Sequence, residues 1–112
     1  MKKIEAIVRP EKLDLIKSGL EKQGIYSMTV TEVGGRGSQR GIVLQWRAGD
    51  YQVDFLPKLK LEIVVDDKIC DTVVATICHI ARTAAAGDGK IFVLPVENAV
   101  RVRTGEEGEK VL

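Results

Sequence analysis

The chain has few aromatic residues: two phenylalanines, two tyrosines and one tryptophan among 112 residues. Sheets that recognise single-stranded RNA stack bases on aromatic side chains. With Phe55 in a long connecting segment, only Tyr26 and Phe92 remain for such a surface, which argues against an RNA-binding module. An excess of one charge is also missing. Seventeen Lys and Arg against sixteen Asp and Glu give a formal charge of +1, too little to grip a nucleic acid or an anionic membrane along a whole face. Any anion site must be local. The single histidine, His79, lies on a helical stretch with no arrangement that makes it a catalytic base. Cys70 and Cys78 are too far apart for a CxxC redox or zinc pair, so they read as two thiols of a reducing compartment. No apolar run approaches the roughly 18 residues of a spanning helix. The start, Met1-Lys2-Lys3-Ile4-Glu5, places a carboxylate where a signal peptide needs its apolar stretch, and the expected location is cytoplasmic.

What is present suits one soluble domain over residues 1–112, with 45% apolar and 29% charged residues. Lys3 to Arg9 alternates Ile4, Ala6 and Val8 against Glu5, Ile7 and Arg9, the two-residue period of a half-buried strand. Pro10 opens a helix in which Leu13, Ile16 and Leu20 recur at helical spacing up to a stop at Gly24; Gly19 weakens it slightly. Ile25 to Val33 alternates again as a second strand. Lys58 to Val65 gives the clearest alternation, with Leu59, Leu61, Ile63 and Val65 opposite Lys58, Lys60, Glu62 and Val64. Asp66-Asp67 caps a second helix whose stripe is Ile69, Cys70, Val73, Val74, Ile77 and Ala81. Lys90 to Val96 and Ala99 to Thr104 read as further strand segments.

Two βαβ units joined by a crossing connection predict an α+β fold, a ferredoxin-like βαββαβ sandwich with both helices on one face of four antiparallel strands. Its other face bears Ile7, Val64 and Phe92 beside Lys58 and Glu62, and self-association would cover it. Between the second and third strands lies a connection of roughly twenty residues, far beyond the usual loop of about 12 to 15 residues at most, which marks it as functional. Gly35, Gly37, Gln39 and Gly41 stand at its start.

Three elements suit phosphate. Gly87-Asp88-Gly89-Lys90 joins helix to strand, where glycines let several N–H groups converge on an anion and a lysine adds charge. It is not a Walker A loop, because Ala84 and Ile91 occupy the places of the first glycine and the magnesium-binding Ser or Thr. Arg101 and Arg103, two apart in a strand, project one way while Val100 and Val102 turn inward. Gly35-Arg36-Gly37 lies at the neck of the long connection. No nucleophile, base or oxyanion set accompanies them.

Four segments together resemble the PII signal-transduction proteins of nitrogen regulation, over essentially the whole chain. Residues 1–10 are similar to the family's amino-terminal strand, Tyr51-Gln52-Val53-Asp54-Phe55-Leu56-Pro57-Lys58 to the far limb of its T-loop, Gly87 to Val93 to its B-loop, and Arg101 to Glu106 to its C-loop. The resemblance implies a homotrimer with sheets facing inward and a T-loop spanning residues 35–57. It implies ATP and ADP competing for clefts between subunits, and 2-oxoglutarate binding beside MgATP. Carried over by position, Ile7, Thr29, Glu62 and Val64 border the adenosine, and Gly35, Gly37, Ser38, Gln39, Gly87, Asp88, Gly89 and Lys90 surround the phosphates. Arg101 and Arg103 reach in from the other wall. Gln39 ligates magnesium, and Gly37, Gln39, Arg40, Gly41, Lys58 and Gly87 form the 2-oxoglutarate site, with Lys58 pairing a carboxylate.

The same resemblance implies a non-catalytic sensor that docks its loop on an ammonium transporter, with Arg47 near the tip, or on metabolic or modifying enzymes. A uridylyltransferase acting on Tyr51 is a further implied partner. Nucleic acid is not among the expected partners, and membrane contact arises only through a transporter. The chain departs from the family pattern at Ser38 and Arg36, where arginine and phenylalanine are usual, at Ala84 for glycine, and at Trp46 for tyrosine. The alternative is a small ferredoxin-like enzyme acting on phosphates, which ordinary turnover of a phosphate substrate would reveal.

Overall fold

The computed structural model describes residues 1–37, 42–46, 49–53 and 55–112, the two segments between 42 and 53 by their backbone alone. The chain order is β1 (Lys2–Val8), a 3-10 turn (Pro10–Lys12), α1 (Leu13–Glu21), β2 (Thr29–Gly35), β3 (Ile42–Trp46), β4 (Gly49–Val53), β5 (Leu56–Val65), α2 (Asp67–Ala81) and β6 (Gly89–Pro95). Four strands form an antiparallel sheet in the order β2-β5-β1-β6, and β3 pairs with β4 separately. This is the expected ferredoxin-like order. The central strands are those with the clearest alternation, because only a strand with neighbours on both edges and a core on one face buries every second residue.

That face carries the core. Ile4, Ala6 and Val8 of β1 and Leu59, Leu61, Ile63 and Val65 of β5 meet Ile16 and Leu20 of α1 and Cys70, Val73, Ile77 and Ala81 of α2. Each large side chain so buried contributes about 1.5 to 3 kcal/mol relative to exposure. Gly19, expected only to weaken α1, has a packing role: a Cβ there would lie 2.5 Å from Ile80 Cδ1, so its absence lets the helices approach. Asp66 caps α2 as anticipated, accepting the Lys68 N–H at 3.0 Å. Ile69 stands off the buried stripe and is exposed.

The opposite face has a charged centre. Lys3 pairs with Glu5 at 3.0 Å and Glu62 at 3.3 Å, and Lys60 with Glu62 at 3.5 Å. These hydrogen bonds raise the Lys3 pKa and lower that of Glu62. Ile7 and Val64 are half-buried around this cluster, while Phe92 and Leu94 are exposed.

Three expectations need correction. The second strand begins at Thr29 rather than Ile25, because α1 ends in a Schellman motif: Gly24 takes φ +78°, its N–H bonds Glu21 O at 3.0 Å, and the Ile25 N–H bonds Leu20 O at 3.0 Å. Ile25 and Met28 then pack on the core without strand partners. The long connection, residues 36–55 between the end of β2 and the start of β5, is not a plain loop but contains the β3–β4 hairpin. Ala99 to Thr104 is not a strand. The chain reverses there, with Gly105 N–H on Arg101 O at 2.7 Å and Arg101 N–H on Glu106 O at 2.8 Å, leaving only a bridge between Val100 and Glu107. Arg101 thus precedes a turn and Arg103 lies within it, and Val102, expected to face inward, is 99% exposed.

Candidate functional site

At one end of the sheet, the turn entering β6 meets the end of β2 and the start of β5, and a cleft of about 550 Å³ opens between them. Its size lies within the roughly 300 to 1,000 Å³ typical of small-ligand sites. Of the residues anticipated from sequence, the cleft gathers Ile7, Gly35, Gly37, Lys58, Gly87, Asp88, Gly89 and Lys90. Arg36, Leu56, Ala85, Ala86 and Phe92 complete its wall. Thr29, Glu62 and Val64 lie elsewhere on the open sheet face, and Arg101 and Arg103 in the carboxyl-terminal segment; none of the five lines the cleft. Ser38, Gln39, Arg40, Gly41 and Arg47 lie outside the described residues, as does the side chain of Tyr51.

Two glycines are obligatory here. Gly89 takes φ +105°, and a Cβ on it would sit 1.7 Å from the Ile7 carbonyl oxygen. Register explains this, since Gly89 pairs with Val8 and Lys90 with Ile7 where β6 begins against β1. Gly87 takes φ +93° under the Arg9 guanidinium and the Lys58 amine. Nearby Ala84 takes φ +66°, the left-handed conformation for which glycine is better suited, at the position where glycine was expected.

Side chains from the sheet hold the turn. Lys58, in β5 as anticipated, is buried at 8% exposure, and its Nζ donates to the Gly87 carbonyl. Burial, followed by the adjacent Arg9 charge, lowers its pKa. Asp88 accepts hydrogen bonds from the Thr83 hydroxyl, the Thr83 N–H at 2.7 Å, Arg9 Nε at 3.2 Å and the Ala84 N–H at 3.0 Å. Those bonds, led by Thr83, hold its carboxyl well below the usual carboxylate range. Arg9 and Thr83 were not singled out from sequence. Arg9 reaches Asp88 across 79 positions of chain, and only the β1–β6 register makes the pair visible.

Among the described residues the wall carries three cations, Arg36, Lys58 and Lys90, against one carboxylate whose oxygens are already engaged. Positive-φ glycines, backbone N–H groups and a net positive wall suit an anion with several oxygens. Among the described residues no cluster of three His, Cys, Asp or Glu could hold a metal ion.

Comparison with known proteins gives the family. Residues 1–106 match the family model for nitrogen regulatory protein P-II. Over 112 residues the chain is 55% identical to nitrogen regulatory protein P-II 2 of Methanothermobacter thermautotrophicus, covering 100% of this chain and 97% of that protein. It is 53% identical, end to end in both chains, to nitrogen regulatory protein P-II 1 of Escherichia coli and to the protein of the same name from Salmonella typhimurium. The chain belongs to the nitrogen regulatory protein P-II family.

Proposed function

We propose that this protein senses adenine nucleotides and 2-oxoglutarate and reports their levels through its long loop. Membership of the family makes it a non-catalytic signalling protein of nitrogen regulation that works through contacts with other proteins. The observation that carries the ligand reading is the glycine-lined cleft, where Arg36, Lys58 and Lys90 face a carboxylate that is already satisfied. ATP and ADP fit this chemistry through their phosphates. The purine would then extend toward Ile7 and Val64 on the open face, with Thr29 and Glu62 beyond, and Arg101 and Arg103 of an adjoining subunit would close the far wall of a trimer.

Lys58 is the candidate partner for a 2-oxoglutarate carboxylate. Among the described residues its buried amine has one carbonyl acceptor, and a carboxylate entering the cleft gives it the counter-charge that burial makes favourable. Magnesium, when bound, supplies an octahedral oxygen shell that two ligands can share, which couples their affinities reciprocally. Gln39 is the protein ligand proposed for it. The targets proposed for the loop are an ammonium transporter contacted by Arg47, or enzymes of nitrogen and carbon metabolism, with Tyr51 a modification point for a uridylyltransferase. The cytoplasm is the proposed location; no helix among the described residues is long and apolar enough to cross a membrane.

Variants test this reading by calorimetry. Gln39→Ala and Lys58→Ala should each abolish 2-oxoglutarate binding while ADP still binds. Parent-like 2-oxoglutarate affinity in both variants would refute the assignment.

A further inference from the structure

Arg9 stands just past the end of β1, and its guanidinium grips the Gly87 turn on both sides. Nε donates to Asp88 Oδ1 at 3.2 Å and Nη2 to the Ala86 carbonyl at 2.7 Å. Between these two points Lys58 Nζ donates to the Gly87 carbonyl. Peptide bonds among the described residues are trans, so each amide N–H points opposite to the carbonyl of its own peptide. With the Ala86 and Gly87 carbonyls drawn toward Arg9 and Lys58, the N–H groups of Gly87 and Asp88 are turned away from those cations. Neither N–H has a hydrogen-bond partner among the described residues. Successive N–H groups displayed in this way form an anion-binding nest.

Asp88 shares in this construction from within. Oδ2 accepts the Thr83 and Ala84 N–H groups, and Oδ1 accepts Arg9 Nε and the Thr83 hydroxyl. Four donors occupy the roughly four acceptor positions of a carboxylate, leaving none for a ligand or metal. They also hold Ala84 at φ +66°, a conformation alanine rarely adopts unaided.

We propose that Arg9 is a positioning residue for anion binding: through Ala86 it aims the Gly87 N–H at the ligand, and through the Asp88 carboxylate it fixes the turn in which Lys58 aims the Asp88 N–H. Asp88, although it lines the cleft, is then an internal strut. This rests on the phosphate reading given above. It makes a prediction of sign that a purely electrostatic role does not: Asp88→Asn removes a negative charge beside a polyanion site, yet should weaken binding, because an amide cannot accept both the Thr83 and Ala84 N–H groups and the Arg9 donor.

The test is calorimetric titration of the full chain and its variants with ATP and with inorganic tripolyphosphate, with thermal unfolding followed in parallel. Arg9→Lys keeps the charge but cannot reach Ala86 O and Asp88 together, and should weaken both probes about tenfold. Asp88→Asn should weaken both about fivefold. The double variant should be no worse than the weaker single within a factor of two, because both changes release the same turn. Parent-like affinity in Arg9→Lys, or equal or tighter binding in Asp88→Asn, would overturn the proposal while leaving the phosphate site standing. A parent that binds neither probe overturns both.

Discussion

Gly89→Ala offers a direct test of how the cleft is built. An added Cβ would lie 1.7 Å from Ile7 O, 2.8 Å from Ile7 C and 3.4 Å from Val8 Cα, all backbone, so no side chain can rotate aside. To restore normal contact, the start of β6 must move more than about 1 Å from β1, breaking the pairing of Lys90 with Ile7. The φ of +105° adds strain that alanine tolerates poorly, about 1 to 2 kcal/mol. Together with one or two weakened strand hydrogen bonds at about 1 kcal/mol each, the destabilisation should be about 3 kcal/mol. A domain stable by about 5 to 15 kcal/mol survives this, with its melting midpoint lowered by roughly 10 to 20 °C. Gly24→Ala is the control, since Gly24 takes φ +78° with no atom within 4 Å of its missing Cβ and so registers strain alone. Circular dichroism melts should show Gly89→Ala falling well below Gly24→Ala, and calorimetry should show weaker ATP binding only in the former. Equal midpoints in the two variants would refute the steric argument.

Lys90→Ala should weaken ATP binding by the worth of a charge-assisted hydrogen bond, about 1.5 to 3 kcal/mol, and Arg103→Ala should do the same if an adjoining subunit completes the site; titration of each variant checks this. Asp88 has a lowered carboxyl pKa, so below about pH 4 the unfolded chain takes up protons more readily than the folded one. The stability that the Asp88 contacts contribute is fully present above that pH and is lost as pH falls further; Asp88→Asn should flatten this part of an acid-unfolding curve, and an unchanged curve would contradict the assignment. Light scattering at micromolar concentration should give a trimer of the 12.3 kDa chain, with a monomer mass as the contrary result.

The central strands were legible because burial on one face forces strict alternation, and every apolar position expected to face inward from Ile4 to Val8 and from Leu59 to Val65 does so. Alternation misled at Val100 to Arg103, where no neighbouring strand or core stands behind the pattern and residues 102–104 form a turn that closes at Gly105, with φ +74°. The β3–β4 hairpin was hidden because Ile42-Val43-Leu44 is a continuous apolar run without a two-residue period. Within the cleft, the glycines announced themselves, since few residues tolerate such backbone. Arg9 did not. Its partners Ala86 and Asp88 lie more than seventy positions away, and no local pattern of residues encodes a contact fixed by sheet register.

The most direct measurement is calorimetric titration of the parent protein with 2-oxoglutarate, first alone, then with magnesium, then with ATP and magnesium together. The account predicts binding only in the last condition, together with a reciprocal tightening of ATP when 2-oxoglutarate is present. Binding of 2-oxoglutarate with equal affinity in all three conditions would contradict it.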